Sequence, residues 1–396
     1  MAQSARVLIV GGGASGLACA LSCAHLGVDV RIVEKRVSRT SVQKATGVAQ
    51  GVWHQLADFG ITEKVISDAI PMRRFIFHDN ARLVADLRVP NVNDEPPAHL
   101  YPQAMLEQAM EEALASYGVK VEYGRVFTGV VDNDHGIEAT ISVGHETEVI
   151  KADWLVAADG GRSAVRSFLN VPFVGCDYPE EWSVAEIETE TWPQDAQAQL
   201  FLQADGVGLF LSQPRRGVVQ GIFNAKGVAS RLAHMFQDAK VLYEREFRVS
   251  LRRVPSPRMG RVWLIGDAAH VQSPVGGQGL NLAIWDGITL GRALAQNQTE
   301  VEETLRNRAR SVLRFTHFDY LMLSTKWRSV RYLRNSYWKF AGRFPRQCSL
   351  VFHTHFRGVV TGQDVSYWRE AEDACWPIAD TGDRGNHREP LTHRGS

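Results

Sequence analysis

The sequence predicts an α/β fold, with a parallel sheet at its start, a second, mostly antiparallel sheet interleaved with it, and helices at its C-terminal end. Three observations support this fold class. A strand, glycine-rich turn, helix and strand open the chain, short segments with alternating apolar residues fill its middle, and an apolar helical repeat begins near residue 304. Strands that alternate with helices form parallel sheets, whereas alternating apolar segments form half-buried strands, so both kinds of sheet are expected.

The composition is that of a globular protein and excludes several function classes. Of 396 residues, 44% are hydrophobic and 22% are charged, which rules out wholesale disorder. The 44 basic residues balance the 44 acidic ones, so the basic excess of a nucleic-acid-binding protein is absent. No segment approaches the roughly 18 apolar residues of a transmembrane helix, and no signal peptide is expected. The five cysteines are scattered, as in reduced cytoplasmic proteins, and no metal site is expected.

The opening unit carries the residues of a dinucleotide site. A predicted strand, helix and strand, a Rossmann-like βαβ unit, cover residues 6–10 (RVLIV), 17–26 and 28–33 (VDVRIV). Gly11, Gly13 and Gly16 match G-x-G-x-x-G, whose glycines allow a tight turn, close approach of a pyrophosphate and close helix packing. Glu34 ends the second strand, where a carboxylate accepts hydrogen bonds from a ribose and disfavours a 2′-phosphate. The expected dinucleotide is therefore FAD or NAD.

The rest of the chain predicts two further groups of elements. Strands are expected at residues 74–78, 83–88, 151–158, 183–190, 199–203, 207–212, 218–223 and 261–265, and helices at 102–117 and 279–296. From residue 304, apolar residues fall near one helical face, namely Leu305, Ala309, Val312, Leu313, Thr316, Tyr320, Leu323 and Trp327. Residues 305–346 hold nine Arg and two Lys against Asp319, a surplus of ten positive charges. We interpret this surplus as a solvated helical face, with a peripheral membrane contact as the open alternative.

Two later motifs narrow the choice of dinucleotide. Residues 159–166 (DGGRSAVR) follow one predicted strand, and residues 266–270 (GDAAH) follow another and lead to residues 274–281 (PVGGQGLN). In order and spacing, these motifs and the glycine turn together resemble the three fingerprints of the single-component FAD-dependent aromatic hydroxylases. These enzymes are the flavoprotein monooxygenases of the p-hydroxybenzoate hydroxylase fold. The resemblance covers most of the chain, although the middle sheet and the C-terminal helices match only in kind.

The resemblance implies which residues hold a noncovalent FAD. Its pyrophosphate would lie on the glycine turn, its adenosine ribose on Glu34 and its ribityl chain on Asp267. The last motif would run beneath the isoalloxazine, where the N–H groups of Gly279, Leu280 and Asn281 would stabilise negative charge on the reduced ring. The expected FAD-contacting residues are Gly11, Gly13, Ala14, Ser15, Gly16, Glu34, Lys35, Lys44, Gln103, Val126, Asp159, Arg162, Asp267, Pro274, Gly277, Gly279, Leu280 and Asn281. NADH or NADPH would be the electron donor.

The resemblance also implies the reaction. The reduced flavin would add molecular oxygen at C4a, and the resulting hydroperoxide would hydroxylate a small aromatic or phenolic substrate. No side chain is required as an acid or base, and His78 and His54 are the candidates for accepting a phenolic proton. The expected substrate-contacting residues are Phe201, Phe210, Gln220, Ile222, Pro274 and Val275.

Several alternatives stay open at this point. A halogenase or a prenyl-chain reductase of the same fold, or a noncatalytic FAD-binding protein, would carry similar motifs, although the W-x-W-x-I-P halogenase signature is absent. The alternative role of Asp159 is to cap the turn after its strand. We predict a discontinuous FAD-binding domain at residues 1–70, 98–175 and 255–300, a substrate-binding sheet domain at 71–97 and 176–254, a helical region at 301–376 and a poorly ordered tail at 377–396. The protein is expected to be a monomer or a homodimer.

Overall fold

The structure, a computed structural model, describes residues 3–40, 45–80, 82–92, 94–193, 195, 197–203, 206–298 and 300–344. Its strands are β1 (Gln3–Val10), β2 (Val30–Glu34), β3 (Gly47–Ala49), β4 (Ile70–Pro71), β5 (Arg74–Asp79), β6 (Arg82–Arg88), β7 (Ala98–Leu100), β8 (Val121–Tyr123), β9 (Arg125–Asn133), β10 (Gly136–Val143), β11 (Glu146–Ala157), β12 (Val174–Glu188), β13 (Ala198–Gln203), β14 (Gly206–Ser212), β15 (Val218–Phe223), β16 (Lys240–Arg253), β17 (Arg258–Met259), β18 (Val262–Leu264) and β19 (His270–Val271). Its α-helices are α1 (Ala14–His25), α2 (Gln50–Ala57), α3 (Ile61–Val65), α4 (Gln103–Ser116), α5 (Ala164–Phe168), α6 (Val228–Met235), α7 (Gly279–Ala295), α8 (Val301–Ser324) and α9 (Arg328–Arg343).

The first sheet is parallel at its centre. Its strand order is β17-β18-β11-β1-β2-β8, and the five strands from β18 to β8 run parallel, while β9 and β10 extend β11 in antiparallel fashion. Val7, Leu8 and Ile9 of β1 are fully buried, because this sheet is covered on both faces. Helix α1 lies so close to α7 that a Cβ on Gly287 would come within 2.3 Å of the Ser15 carbonyl oxygen. This packing fixes the glycine turn against α7.

The second sheet separates two apolar layers. Its order is β19-β16-β12-β15-β14-β13-β5-β6, and all of its pairs are antiparallel except β13 with β5. Phe210 and Phe223 face α6 and its Leu232, whereas Leu200 and Leu211 face a cluster that includes Trp338 of α9. A small third sheet has the order β3-β7-β4. The fold class predicted from the sequence is confirmed.

Several elements depart from the expectations, among them β9, β10 and β16, which the sequence did not predict. Strand β16 was not expected, because its exposed charges, among them Glu244, Arg245 and Arg248, hide the alternation of a strand. Trp327 was placed on the buried face of a helix, and this was wrong. Helix α8 ends at Ser324, and the Trp327 side chain is 75% exposed. The predicted domain boundaries remain a prediction, and the predicted tail at residues 377–396 lies outside the described residues.

Within the described part of the chain, no helix combines the length and the apolar character that crossing a membrane requires.

Candidate cofactor and substrate site

The glycine turn between β1 and α1 is tight on one side and open on the other. Gly11 has a φ of +116°, and a Cβ there would lie 2.3 Å from the Ala158 carbonyl oxygen. A Cβ on Gly16 would lie 2.0 Å from the Gly11 oxygen. A Cβ on Gly13, in contrast, would meet nothing closer than Glu107 Oε1, at 3.9 Å. Gly11 and Gly16 therefore serve the fold, while the space at Gly13 fits a pyrophosphate approaching the N-terminus of α1.

Helix α4 contributes two polar side chains to this turn. Glu107 is 4% exposed, and its Oε1 atom accepts hydrogen bonds from the Ala14 N–H (3.1 Å) and from Gln103 Nε2 (2.8 Å). The structure thus brings the predicted Gln103 to the turn and adds Glu107, which sequence reasoning missed although it lies one helical turn further on. Ser15 is buried against the third motif, since a Cβ on Gly266 would lie 2.7 Å from Ser15 Oγ.

Glu34 is buried at the end of β2 and is held as a carboxylate. Its Oε2 accepts from the Gly12 N–H at 2.8 Å, and its Oε1 accepts from the Arg36 N–H at 2.9 Å and from Arg36 Nε at 3.0 Å. Burial opposes ionisation of Glu34, but the hydrogen bonds from Arg36 and Gly12 outweigh it and hold the pKa of Glu34 below its ordinary value. An ionised acceptor beside the glycine turn suits the hydroxyls of a ribose.

The predicted FAD contacts also include Lys35, Val126 and Lys44. Lys35 is exposed next to Glu34. Val126 lies on β9 and is 42% exposed. Lys44 is outside the described residues. Contacts of these three residues with FAD remain a prediction.

The second motif folds into a capped turn before α5. Asp159 Oδ2 accepts from the Ala164 N–H at 2.7 Å and from the Val165 N–H at 3.2 Å, so Asp159 does cap this turn. Its Oδ1 atom is buried and has no hydrogen-bond partner among the described residues. Arg162 is exposed beside it. A buried oxygen left without a donor fits a site that a further polar group, such as a cofactor hydroxyl, completes.

Arg166 ties the second motif to the third. This arginine is 7% exposed, and it donates to the Gly161 oxygen at 2.7 Å and to the Ala268 oxygen at 2.9 Å. Its guanidinium also lies 3.8 Å from the centre of the Phe173 ring. Arg166 stands inside the sequence motif, but nothing in the sequence indicated that it joins two motifs.

The third motif begins with a one-turn 3₁₀ helix at Gly266–Ala268 that presents Asp267 to solvent. Asp286 of α7 holds this turn in place. Its Oδ2 accepts a hydrogen bond from the Gly266 N–H at 3.2 Å and lies 2.6 Å from His270 Nε2. Burial opposes protonation of His270, but the Asp286 carboxylate outweighs it and raises the pKa of His270 above its ordinary value. This buried pair positions the turn that carries Asp267.

The loop after the third motif ends at the N-terminus of α7. Pro274 and Val275 are partly exposed, and Gly277 is exposed with a φ of +63°. The side chain of Asn281 joins α7 to β3, since its Oδ1 accepts from the Ala49 N–H at 2.8 Å. Gly279 and Leu280 open α7, and the first N–H groups of a helix have no acceptor within it. These N–H groups are therefore suited to bind an anion.

A buried polar network joins this region to the second sheet. Thr46 Oγ1 donates to Gln220 Oε1 at 2.8 Å and accepts from Gln213 Nε2 at 3.2 Å, and all three residues are at most 5% exposed. Gln213 Oε1 is buried without a partner among the described residues. Because Thr46 precedes β3, the network places Gln220 next to the strand that Asn281 holds.

Gln220 belongs to a polar row across three neighbouring strands. Glu186 of β12 pairs with Gln220 of β15 and with Tyr243 of β16. Burial raises the pKa of Glu186, and burial together with the Glu186 carboxylate raises the pKa of Tyr243 to about 12. Val184 and Ile222, a cross-strand pair, lie next along the same face. This face therefore has a polar end and an apolar floor.

The predicted substrate residues do not all share this face. Phe201 and Phe210 lie on the opposite face with α6, since a Cβ on Gly221 would lie 2.8 Å from Phe210 Cδ1. His78 stacks on Phe201 with ring centres 4.4 Å apart, and burial lowers the pKa of His78. His54 lies at the surface, where its Nε2 atom is 2.8 Å from Glu95 Oε2. Gln220 and Ile222 are thus separated from the two phenylalanines by the sheet.

An aromatic cluster that sequence reasoning missed joins α8 to the polar face. The Tyr178 hydroxyl lies 2.8 Å from His317 Nδ1, and the Tyr178 and Tyr320 rings are 4.4 Å apart. The Tyr320 ring lies 6.2 Å from that of Trp182, which is 2% exposed. Trp182, Val184 and Glu186 alternate along β12 and so share one face. The members of this cluster come from β12 and α8, which are more than 100 residues apart in the chain. No sequence spacing therefore predicts the cluster.

Comparison with known proteins gives consistent relatives. The chain is 29% identical over 315 residues to a rifampicin monooxygenase of Streptomyces venezuelae, covering 73% of this chain and 63% of that protein. It is 26% identical over 315 residues to a 3-(3-hydroxyphenyl)propionate/3-hydroxycinnamic acid hydroxylase of Escherichia coli, covering 74% and 56%. The chain thus spans less than two thirds of the length of these curated relatives. A p-nitrophenol 4-monooxygenase structure from Pseudomonas putida aligns with a TM-score of 0.83 at 22% identity, covering 92% of this chain and all of the other.

The solved structure shows the fold, and the family follows from a separate match. The family model described as "FAD binding domain" matches residues 4–311, which include the glycine turn, both later motifs and all of the second sheet. The open space at Gly13, the buried acceptor Glu34 and the unpartnered oxygen of Asp159 fit such a cofactor. The chain therefore belongs to the FAD binding domain family.

Proposed function

We propose that this chain is an FAD-dependent monooxygenase that uses NADH or NADPH and molecular oxygen to hydroxylate a small aromatic or phenolic molecule. The observation that carries the proposal is the Thr46 network, which sets a half-polar, half-apolar sheet face beside the cofactor motifs. The names of the curated relatives, a monooxygenase and a hydroxylase, support this function over a halogenase, a prenyl-chain reductase or a noncatalytic FAD carrier.

In this proposal the protein holds FAD along the three motifs. The cofactor, when bound, supplies the redox chemistry, taking electrons from NAD(P)H and activating oxygen. The N-terminus of α1 binds the pyrophosphate above Gly13, and Glu34 accepts from the adenosine ribose. Asp267 accepts from the ribityl chain. The first N–H groups of α7, from Gly279 and Leu280, favour negative charge on the flavin ring.

The substrate lies on the polar face of the second sheet. Val184 and Ile222 form an apolar floor for an aromatic ring, with the Gln220 and Glu186 row at one end. Trp182 lies at the other end, four residues from Glu186, a span of roughly 13 Å for an extended strand. Pro274 and Val275 close the pocket on the flavin side. Phe201 and Phe210 support the sheet from behind, and the prediction that they contact the substrate directly is the alternative to this placement.

Glu186 is the group suited to take a phenolic proton. Its carboxyl is half-buried, and its raised pKa brings it closer to the pH at which proton transfer from a phenol is efficient. His54 is paired with Glu95 at the surface, and His78 lies on the opposite face of the sheet. Neither histidine faces the proposed pocket. Glu186→Gln should therefore lower kcat for phenols and remove the acidic limb of the pH profile.

A substrate screen with a mass readout tests the function. The purified holoenzyme is mixed with phenols, anilines and aromatic acids, and NAD(P)H oxidation, oxygen uptake and product mass are recorded. A compound that stimulates NAD(P)H oxidation and gains 16 mass units, the mass of one oxygen atom, supports the proposal. A flavin that NAD(P)H cannot reduce with any compound, or reduction without any oxygenated product, would refute it.

Four finer points stay predictions. They are the choice between NADH and NADPH as the electron donor, the cytoplasmic location, the monomeric or homodimeric state and the identity of the aromatic substrate. NADPH carries a 2′-phosphate that NADH lacks, and a basic side chain would have to bind this phosphate. Comparing the KM values for NADH and NADPH therefore tests which of the two is the electron donor.

A further inference from the structure

The last two described helices form a hairpin that is anchored on one side only. Arg331 and Asn335 of α9 bind Asp79, and the Trp338 ring stacks on Phe77 at 4.2 Å. Arg334 is 5% exposed and donates to the Leu323 oxygen at the end of α8, at 3.0 Å. These contacts fix both the position and the rotation of α9 against the second sheet.

The opposite side of α9 carries an apolar stripe that faces water. Leu333, Tyr337 and Phe340 are spaced four and three residues apart, which places them on one helical face. Phe344 is the residue that follows the helix, and its ring centre lies 4.7 Å from that of Phe340. These four residues are 66%, 50%, 48% and 45% exposed, and Trp327 at the hairpin turn is 75% exposed. In a globular protein such a stripe normally packs against the core, and an exposed one marks an interaction surface. We call these four residues the outer stripe.

The two helices that carry the outer stripe and the hairpin turn have a surplus of positive charge. Residues 305–344 hold eight Arg and two Lys against Asp319. Lys326, Arg328, Lys339 and Arg343 are exposed, and within the described part of the chain none of the four has an ion-pair partner. The surface thus combines exposed aromatic and aliphatic groups with unpaired cations.

The charge selects among the occupants of this surface. A second copy of the chain would bring the same cations against each other across a symmetric interface, which is repulsive. Residues 345–396 hold seven acids and six Arg, so their charges nearly cancel and do not complement the surface. A bilayer with anionic lipids offers both negative headgroups and an apolar interior, and Trp and Tyr favour its interface.

We propose that α9 and the hairpin turn form a peripheral binding surface for anionic membranes, with the outer stripe inserted at the headgroup boundary. Each basic residue near an anionic leaflet contributes about a fivefold change in partition coefficient. Four such residues and the apolar stripe together suffice for reversible binding. The surface is independent of the proposed oxygenation chemistry, because none of its residues belongs to the cofactor or substrate site.

Vesicle cosedimentation of the full-length protein tests the proposal. The probes are vesicles of phosphatidylcholine alone and vesicles with about one third phosphatidylserine, at low and at high salt. At low salt we expect the protein to bind the anionic vesicles at least tenfold more strongly than the phosphatidylcholine vesicles. At high salt this binding should be weaker, because salt screens exposed charges. The charge variant Lys339→Glu/Arg343→Glu and the apolar variant Leu333→Ser/Phe340→Ser should each bind the anionic vesicles at least tenfold more weakly than wild type. All four side chains are exposed, so both variants should keep the wild-type unfolding curve.

The matched control is Lys120→Glu/Lys240→Glu, which makes the same charge change at two exposed sites away from α9 and should bind like wild type. Absence of wild-type binding to anionic vesicles at low salt overturns the proposal. Binding as strong as that of wild type by both the charge variant and the apolar variant also overturns it. A wild-type dimer that Leu333→Ser/Phe340→Ser converts to a monomer, without vesicle binding, would show an interface between copies and overturn it too. Stripe-dependent binding of an RNA oligonucleotide in place of vesicles would have the same effect.

Discussion

Gly13 and Gly16 are two glycines of one turn with different tasks. At Gly13 the space beside the backbone is free for a ligand, whereas at Gly16 it is filled by the Gly11 carbonyl. Gly13→Val should therefore leave the unfolding midpoint of the apoprotein nearly unchanged and weaken FAD binding by at least about 100-fold, since the side chain takes the place of the pyrophosphate. Gly16→Val should instead unfold the apoprotein or destabilise it by more than about 4 kcal/mol. Flavin fluorescence titration and urea unfolding of both variants measure these effects, and equal FAD affinity of Gly13→Val and wild type would contradict the assignment.

The buried pair of His270 and Asp286 makes stability depend on pH. The folded pKa of His270 lies above its ordinary value of 6.5, so the stabilisation from the charged pair is fully present below pH 6.5. It is lost as the pH rises through the raised folded pKa. The wild-type free energy of unfolding should therefore fall with rising pH above 6.5, and His270→Gln should lose this part of the slope and about 3 kcal/mol at pH 6. Urea unfolding between pH 6 and 9 gives both slopes, and parallel slopes would show that His270 is neutral in the folded state.

At the scale of elements, the two faces of the second sheet are expected to have different roles. Phe210 is 1% exposed and packs with Phe223 and Leu232, so Phe210→Ala should cost about 3–5 kcal/mol of folding free energy. Ile222 is half-buried on the Gln220 face, so Ile222→Ala should cost less folding free energy than Phe210→Ala. It should instead divert electrons from product to hydrogen peroxide, because a substrate ring that is held loosely is not positioned to receive the oxygen atom.

The ratio of peroxide to product, measured with a substrate from the screen, decides between the two faces. Phe210 and Ile222 are both among the substrate contacts expected from the sequence, so the sequence predicts that either change raises this ratio. If Phe210→Ala uncouples the reaction without loss of thermal stability and Ile222→Ala stays coupled, the substrate lies on the α6 face. The opposite pattern places it on the Gln220 face.

At the scale of the whole molecule, FAD should link segments that are far apart in the chain. The proposed ligands come from β1, β2, α4, the second motif and α7, so binding should stabilise the whole molecule. At 100 times its Kd, FAD should add about 2.7 kcal/mol to the free energy of unfolding, and thermal melts should show a higher midpoint. The purified protein should be yellow, with one noncovalent FAD per chain.

FMN is the matched control for this prediction. It lacks the adenosine that Glu34 would hold, so it should raise the melting midpoint far less than FAD at equal concentration. Acid precipitation followed by chromatography identifies the flavin that purifies with the protein. Release of FMN, or a folded colourless protein that no flavin reconstitutes, would contradict the proposed site.

The cofactor motifs could be predicted because each depends on neighbours close in sequence. Gly11 needs a positive φ of +116°, a Cβ on Gly16 would meet the Gly11 oxygen five residues earlier, and Glu34 needs only the end of the second strand. Asp159 caps residues five and six positions further on. Such short-range requirements leave a pattern in the sequence, and the buried strand predicted at residues 6–10 is confirmed within β1 for the same reason.

Sequence by itself therefore determined the fold class and the positions of the three motifs, because these follow from local backbone geometry and hydrophobic periodicity. The resemblance that the three motifs carry indicated the family. Only the tertiary structure decided which face of the second sheet meets the cofactor motifs, since Thr46 and Gln220 are 174 residues apart. Alternation along a strand shows that two faces exist but not what lies against each. The same holds for α9, whose exposed side depends on Asp79 and Phe77, residues of a distant strand that hold the helix in one orientation.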